Sequence, residues 1–393
     1  MKTSSSDILI VGAGPAGLGC ALALEACGLK PQIVDARGIA SSFESWPRQM
    51  KLLTPSFHSN AFGAVDLNSI SPETSPADFL HTQHPDGGEY ARYLRSICRY
   101  YELHVNAPVR VERIQPQKDG SFTVQTQDGT LRPRFLIWAA GELGLPDDGE
   151  IEGSDLCIHS SRVRDWEEMA STGEKFTLIG GYESGIDAAI HFMEAGREVH
   201  LLSRGEPWGE DDPDPSRSLS PRTRDRLRLA LLNTTGDVRF YKNANIVSVK
   251  KTPLGYEVLD TESTPFISPT PPILCTGFRN ALEPIRDLWE WKNGSPVFTE
   301  AADESTLTPN LFYSGPTLCH RSMLFCFIYK YRSRFGVIAR EIASRMGRPW
   351  EEPLKLWRER GFMMENLDCC TDCGCAVEPE SAENPEVTAY AEV

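Results

Sequence analysis

Gly12, Gly14 and Gly17 stand in "DILIVGAGPAGLG" at the spacing G-x-G-x-x-G, behind a short apolar run that suits a buried parallel strand. Each glycine has its own task. Gly12 allows a sharp turn, Gly14 lets backbone approach a pyrophosphate, and Gly17 lets the following helix pack closely on the strand. Ala13, Pro15 and Ala16 complete the turn and open the helix, whose free N–H groups and positive dipole end face the phosphates. A second strand, "QIVDAR", ends at Asp35, followed by Ala36 and Arg37. A carboxylate there is placed to accept hydrogen bonds from ribose hydroxyls. Strand, turn, helix, second strand and acid together predict an adenine-dinucleotide site rather than a bare glycine turn.

The same grammar returns in "EKFTLIGGYESGIDAAIHFMEAGREVHLLSRG", with strands expected over 176–179 and 199–202. Gly180, Gly181 and Gly185 remain, Tyr182 takes the place of the second glycine, and Glu183 and Ser184 open the helix. The second strand ends in Ser203 and Arg204 instead of an acid. A hydroxyl and a guanidinium suit a 2′-phosphate that a carboxylate would repel, so this turn is expected to prefer NADPH over NADH. The plainer alternative is that Arg204 is a solvated charge at a strand end.

A third candidate lies near the end of the chain, in "NLDCCTDCGC", which holds Cys369, Cys370, Cys373 and Cys375. Cys370 and Cys373 have the C-x-x-C spacing that forms a disulfide and lowers a thiol pKa, so a dithiol relay is one reading. A metal ion held by the four thiolates is a second, although a single zinc usually takes two separated pairs. A purely structural cluster is the third. Asp368 and Asp372 beside the thiols oppose thiolate formation. The other seven of the eleven cysteines are scattered and read as small buried hydrophobes of a reducing compartment.

The formal net charge of −15 argues against nucleic-acid and anionic-membrane partners, both of which need clustered cations. No apolar run is long enough to span a bilayer, and the chain enters a strand without a cleavage pattern, so the expected location is cytoplasmic. His159 and His320 are further polar candidates, read as satisfied structural histidines.

Further segments resemble the two-dinucleotide-binding flavoproteins, of the flavin-containing-monooxygenase-like branch. "ESWPRQMKLLTPS" is similar to the segment that lies beside the flavin in bacterial members, and brings in Trp46 and Thr54. "FLIWAAGELGLP" resembles the strand leading to the pyridine-nucleotide domain, with Gly141 at its turn. "PILCTGF" resembles the return crossover, and "LTPNLFYSGP" the last flavin-contacting strand, with Gly315 and Pro316. "LIGGYESGIDAAIHF" is closer to the turn of bacillithiol-disulfide-reductase-like proteins, which also place Tyr after Gly-Gly. The resemblance implies FAD at the first turn and NADPH at the second. It implies oxidation of a small metabolite or soft nucleophile by a monooxygenase-like reaction. A thiol/disulfide oxidoreductase working through the tail cysteines is the alternative, and a metal- or redox-sensing module a remoter one. The partner is then a small-molecule or thiol substrate, and the oligomeric state stays open.

The elements that must position these residues follow. An α/β chain is expected, with two Rossmann-like dinucleotide-binding domains: an FAD domain over 1–145 and 286–345, and an NADPH domain over 146–285 inserted between. A Cys-rich segment over 346–377 and a disordered acidic tail over 378–393 complete the chain. A helix is expected in "DGGEYARYLRSICRYYEL", with Tyr90, Leu94, Ile97 and Tyr101 at helical spacing, and a small antiparallel sheet over 107–139. The Pro/Ser-rich stretch around 67–88 reads as irregular surface, and "PWGEDDPDPSRSLSPRTR" as a mobile, largely solvated loop. "LCHRSMLFCFIYKYRSRFGVIAREIASRM" reads as one helix.

Overall fold

The computed structural model describes residues 6–58, 63, 65–209, 212, 214 and 216–368. Cys369, Cys370, Cys373, Cys375 and the acidic end lie outside the described residues, as do Glu210, Asp211, Pro213 and Pro215 of the insertion.

Two parallel sheets carry the two glycine turns. In the first, Ile8–Val11 pairs with Gln32–Val34 on one side and Phe135–Trp138 on the other, with Val105–Asn106 and Leu311–Tyr313 at the edges. Ile8–Val11 is buried at every position, because the sheet is covered on both faces and leaves its central strand no solvent side. Helix Pro15–Ala26 is buried along most of its length and packs against helix Phe335–Arg345. Gly19 makes that contact possible, since a Cβ there would meet the Phe335 ring at 1.9 Å. Leu311–Tyr313 returns to this sheet only after the chain has built the second one.

The second sheet runs Asp237–Tyr241, Glu198–Leu202, Lys175–Ile179, Ile273–Leu274, Ile158–His159, all parallel. Its core includes the stacked rings of Phe176 and Phe192, 4.1 Å between centroids. The two chain crossings between the sheets run side by side: Asp147 N–H donates to the Gly277 carbonyl (3.0 Å) and Arg279 N–H to the Leu145 carbonyl (2.8 Å). The chain is therefore an α/β protein with two Rossmann-like units.

Helix Gly87–Tyr100 forms where the spacing places it, started by a capping box of Asp86 and Glu89. The expected antiparallel sheet is three-stranded, Val111–Pro116, Phe122–Thr126 and Gly129–Leu131.

Three expectations are corrected. The 318–346 segment is not one helix: Cys319–His320 and Met323–Leu324 form a hairpin around Arg321, whose φ of +54° ends any helix, and helical structure starts at Ile328. The Pro/Ser-rich stretch is surface only in part: Asn68, Ser69, Ile70 and Ser71 are buried, whereas Glu73, Asp78, His81 and Gln83 are exposed. Arg332 reaches in and donates to the Ser69 carbonyl (2.9 Å), so a buried cation satisfies loop carbonyls that helix or sheet would otherwise pair. Among the described residues of the insertion, Asp214, Ser218, Leu219 and Ser220 are buried rather than solvated.

Candidate functional site

The two glycine turns are built alike down to their hydrogen bonds. Gly12 N–H donates to the Val34 carbonyl and Gly180 N–H to the Leu202 carbonyl, both at 2.8 Å. Gly12 (φ +115°) and Gly180 (φ +109°) take a backbone conformation that side chains rarely adopt. A Cβ on Gly12 would lie 2.2 Å from the Ala139 carbonyl oxygen, and one on Gly180 2.3 Å from that of Cys275. A Cβ on Gly17 would strike the Gly12 carbonyl at 2.0 Å, and one on Gly185 the Gly180 carbonyl at 1.9 Å. The turn, the helix and the neighbouring crossover are thereby pressed together in both units.

Gly14 differs: a Cβ there meets nothing within 4 Å, and no side chain caps the helix that it opens. The helix N-terminus faces a cavity of about 350 Å³. Gly14, Pro15, Ala16, Asp35, Trp46 and Thr54 line it on one side, and Gly141, Gly315 and Pro316 on another. Open backbone at a helix start beside a roomy cavity suits the phosphates of a dinucleotide. Asp35 is already engaged, its carboxylate accepting from the N–H groups of Ala13 (2.9 Å), Arg37 (2.8 Å) and Gly38 (2.7 Å). It thus braces the turn as well as lining the cavity. Ala36 and Arg37 follow it outside the cavity wall, the Arg37 guanidinium donating to the Ser42 hydroxyl (3.1 Å).

Met50, Leu52, Leu53, Leu143, Phe327 and Ile328 make much of the remaining wall apolar. Glu142, which the motifs did not single out, adds a half-buried carboxyl whose pKa burial lifts to about 7. It follows Gly141 directly, so its position was legible once that turn was recognised. The second unit contributes Glu183, Ser184, Asp187, Arg222 and Arg226 to the same cavity. Glu183 accepts from the Thr223 hydroxyl (2.6 Å) and the Ser220 N–H, which fixes the start of helix Pro221–Asn233. Arg226 is ion-paired with Asp187.

A second cavity, of about 900 Å³, lies at the second turn. Gly180, Gly181, Tyr182, Glu183, Ser184, Ser203 and Arg204 line it. Ser203 is buried, whereas Arg204 is exposed and forms no salt bridge among the described residues. Trp208 and Ser203 close in on Gly181, where a Cβ would sit within 2.8 Å of the Ser203 hydroxyl.

The insertion straps the units together. The Tyr182 hydroxyl donates to the Ser218 carbonyl (2.7 Å), Lys330 Nζ to Asp214 Oδ1 and Ser216 Oγ (both 2.6 Å), and Arg217 to the Ser322 carbonyl (3.0 Å). His159 and His320 serve structure, as expected. His159 bonds the Gly277 carbonyl (3.0 Å), and buried His320 contacts Asp303 (2.6 Å), which also pairs with Arg334. Cys326 lines the first cavity and Cys275 the second; among the described residues the seven cysteines are all free and no His/Cys/Asp/Glu group could hold a metal.

With two such turns on two parallel sheets in view, comparison with known proteins is decisive. The profile of the pyridine nucleotide-disulphide oxidoreductase family matches residues 9–315. The chain belongs to this family. It is thus a flavin-dependent oxidoreductase by family, and no helix among its described residues is long and apolar enough to cross a membrane. It is 23% identical over 346 residues to bacilliredoxin reductase Bdr of Bacillus subtilis, covering 86% of this chain and 97% of that one. It is 24% identical over 226 residues to a ferredoxin–NADP reductase of Ignicoccus hospitalis, spanning 57% of this chain and only 64% of that protein. Bacillithiol disulfide reductase Bdr from Staphylococcus aureus superposes with a TM-score of 0.69 at 20% identity, over 86% of this chain and 98% of its own. A flavin monooxygenase from Stenotrophomonas maltophilia superposes with 0.67 at 18%, over 87% and 99%. The backbone alone therefore does not separate a disulfide reductase from a monooxygenase.

Proposed function

We propose that the chain uses NADPH to reduce a bound FAD and oxidises a small metabolite or soft nucleophile in a monooxygenase-like reaction. In this reading FAD lies along Gly12–Gly17, Asp35–Arg37, Trp46, Thr54, Gly141, Gly315 and Pro316. NADPH lies along Gly180–Ser184, Ser203 and Arg204. The FAD unit is 1–145 with 286–345, and the NADPH unit is 146–285. Bound flavin supplies the hydride acceptor and the electron transfer, which no side chain here can replace. The net change consumes NADPH, a proton and dioxygen, with one oxygen atom entering the substrate and the other leaving as water.

The carrying observation is the wall of the first cavity. It is largely apolar, draws on both units, and of the described cysteines only Cys326 lines it. Such a wall disfavours water, and among the described residues it offers no paired thiols to take electrons directly. Glu142 holds or releases a proton there near neutral pH. Tyr182 and Glu183 keep the strap and helix Pro221–Asn233 against the cavity. The test is product analysis under ¹⁸O₂ with NADPH as reductant, against a panel of amines, thioethers and thiols. Label in a product supports oxygen insertion; NADPH consumption that continues with a disulfide and without oxygen overturns it.

One observation favours the thiol/disulfide alternative. Arg321, on the hairpin just before the cavity-lining Cys326, is salt-bridged to Asp368 (2.8 Å), the residue that precedes Cys369 in the chain. In that reading Cys370 and Cys373 pass the two electrons of NADPH to an external disulfide, releasing two thiols. A Cys370→Ser/Cys373→Ser variant that turns over a disulfide as fast as the parent rules the relay out. Metal analysis of the same pair of proteins decides whether Cys369, Cys370, Cys373 and Cys375 carry an ion instead.

A further inference from the structure

The charged groups around the first cavity are not all accounted for by the fold. Asp35 is held by three backbone N–H groups, Glu183 by Thr223 and Ser220, and Arg226 by Asp187. Arg222 is different. It lines the cavity half-buried, with no hydrogen bond or salt bridge among the described residues, and the one carboxylate that attracts it, Asp187, is already joined to Arg226. Lys51 lines the same cavity from the first unit, and no carboxylate lies within ion-pair distance of it among the described residues. His84, outside the cavity wall, is half-buried, its Nδ1 bonded to the Leu52 carbonyl (2.9 Å). Burial pushes the His84 pKa down, and so do the charges of Arg222 and Lys51, against the opposing effect of that hydrogen bond.

Two cationic side chains with no salt bridge among the described residues thus line one cavity, in a chain whose formal net charge is −15. A guanidinium half removed from water that shares its one nearby carboxylate with Arg226 is costly, and an ion pair with a ligand would offset the cost. The neighbouring surfaces, Met50, Leu52, Leu53 and Phe327, are apolar. We infer that Arg222, with Lys51, forms a recognition site for the anionic group of the substrate, and that the substrate is a small organic acid whose apolar body lies over Leu52 and Leu53. Lys51 belongs to the first sheet's unit and Arg222 to the second's, so the anion would be gripped between units. This rests on the reading of the cavity as the flavin site.

The coenzyme also carries phosphates, and the test separates the two sources of anion. The flavin-loaded protein is titrated with benzoate and with neutral benzamide at fixed ionic strength, by calorimetry and by the shift in flavin absorbance. Benzoate should bind at least tenfold tighter than benzamide. Arg222→Gln should weaken benzoate by on the order of ten- to a hundredfold, Lys51→Gln by less, and Arg222→Lys should recover part of the loss. Arg228→Gln, on the exposed side of the same helix and outside the cavity wall, should bind benzoate as the parent does. Equal binding of benzamide, or full benzoate affinity in both Arg222 variants, overturns the inference. So does a loss in Arg222→Gln that is as large for NADPH as for benzoate, which would assign the cations to the coenzyme. A protein that takes up no flavin shows no visible band before any titrant is added. That outcome removes the flavin reading, and the inference falls with it.

Discussion

Gly14 and Tyr182 hold the same backbone conformation at the same place in their units, φ −88° and ψ −172° for one, φ −90° and ψ −162° for the other. Each is the residue before a helix that no side chain caps. Because both φ values are negative, a glycine is not required there for conformation. The difference lies in what the side chain reaches: Gly14 leaves the cavity open, while Tyr182 crosses to the Ser218 carbonyl and anchors the strap.

Gly12→Ala and Gly14→Ala should therefore part company. Alanine at 12 forces a strained φ and drives a Cβ into the Ala139 carbonyl, costing about 1–3 kcal/mol or more of stability. Alanine at 14 should leave the thermal midpoint of the flavin-free protein nearly unchanged and weaken flavin binding. Measured midpoints and flavin affinities for the two variants check this; equal destabilisation by both would refute it.

Arg204→Gln should raise the apparent Kd for NADPH by about tenfold or more, the scale of one charge-assisted contact, while changing that for NADH little. Stopped-flow reduction of the flavin by each coenzyme reads the ratio. If both coenzymes lose equally, Arg204 does not read the 2′-phosphate.

Asp303→Ala should cost about 3–5 kcal/mol, because it strands the fully buried Arg334 and removes the partner of His320. Chemical denaturation gives the value. Changing Arg321, which pairs on the surface with Glu300 and Asp368, should cost far less by the same measurement.

Glu142 sets a pH dependence with a definite sign. Its pKa rises on folding from the usual 4.5 to about 7, so between those values the folded chain keeps a proton that the unfolded chain has lost. Stability contributed by this group is therefore present at low pH and falls as pH rises through that window. Glu142→Gln removes the fall: the variant should match the parent near about pH 5 and exceed it near about pH 8. Thermal midpoints across that range test it, and a gap that does not change with pH would exclude Glu142 as its source.

Sequence alone determined the two glycine turns, since Gly17 and Gly185 are dictated by close approach to the backbone of Gly12 and Gly180 within a few residues of chain, and helix Gly87–Tyr100 followed from local periodicity. What the tertiary structure decided depends on partners far apart in the chain. Arg332 buries the Asn68–Ser71 loop that composition makes look like surface, and Lys330 with Tyr182 holds down an insertion that reads as solvated. Glu142, Arg222 and Lys51 meet at one cavity because two sheets bring them there, and no spacing within a single segment encodes that meeting.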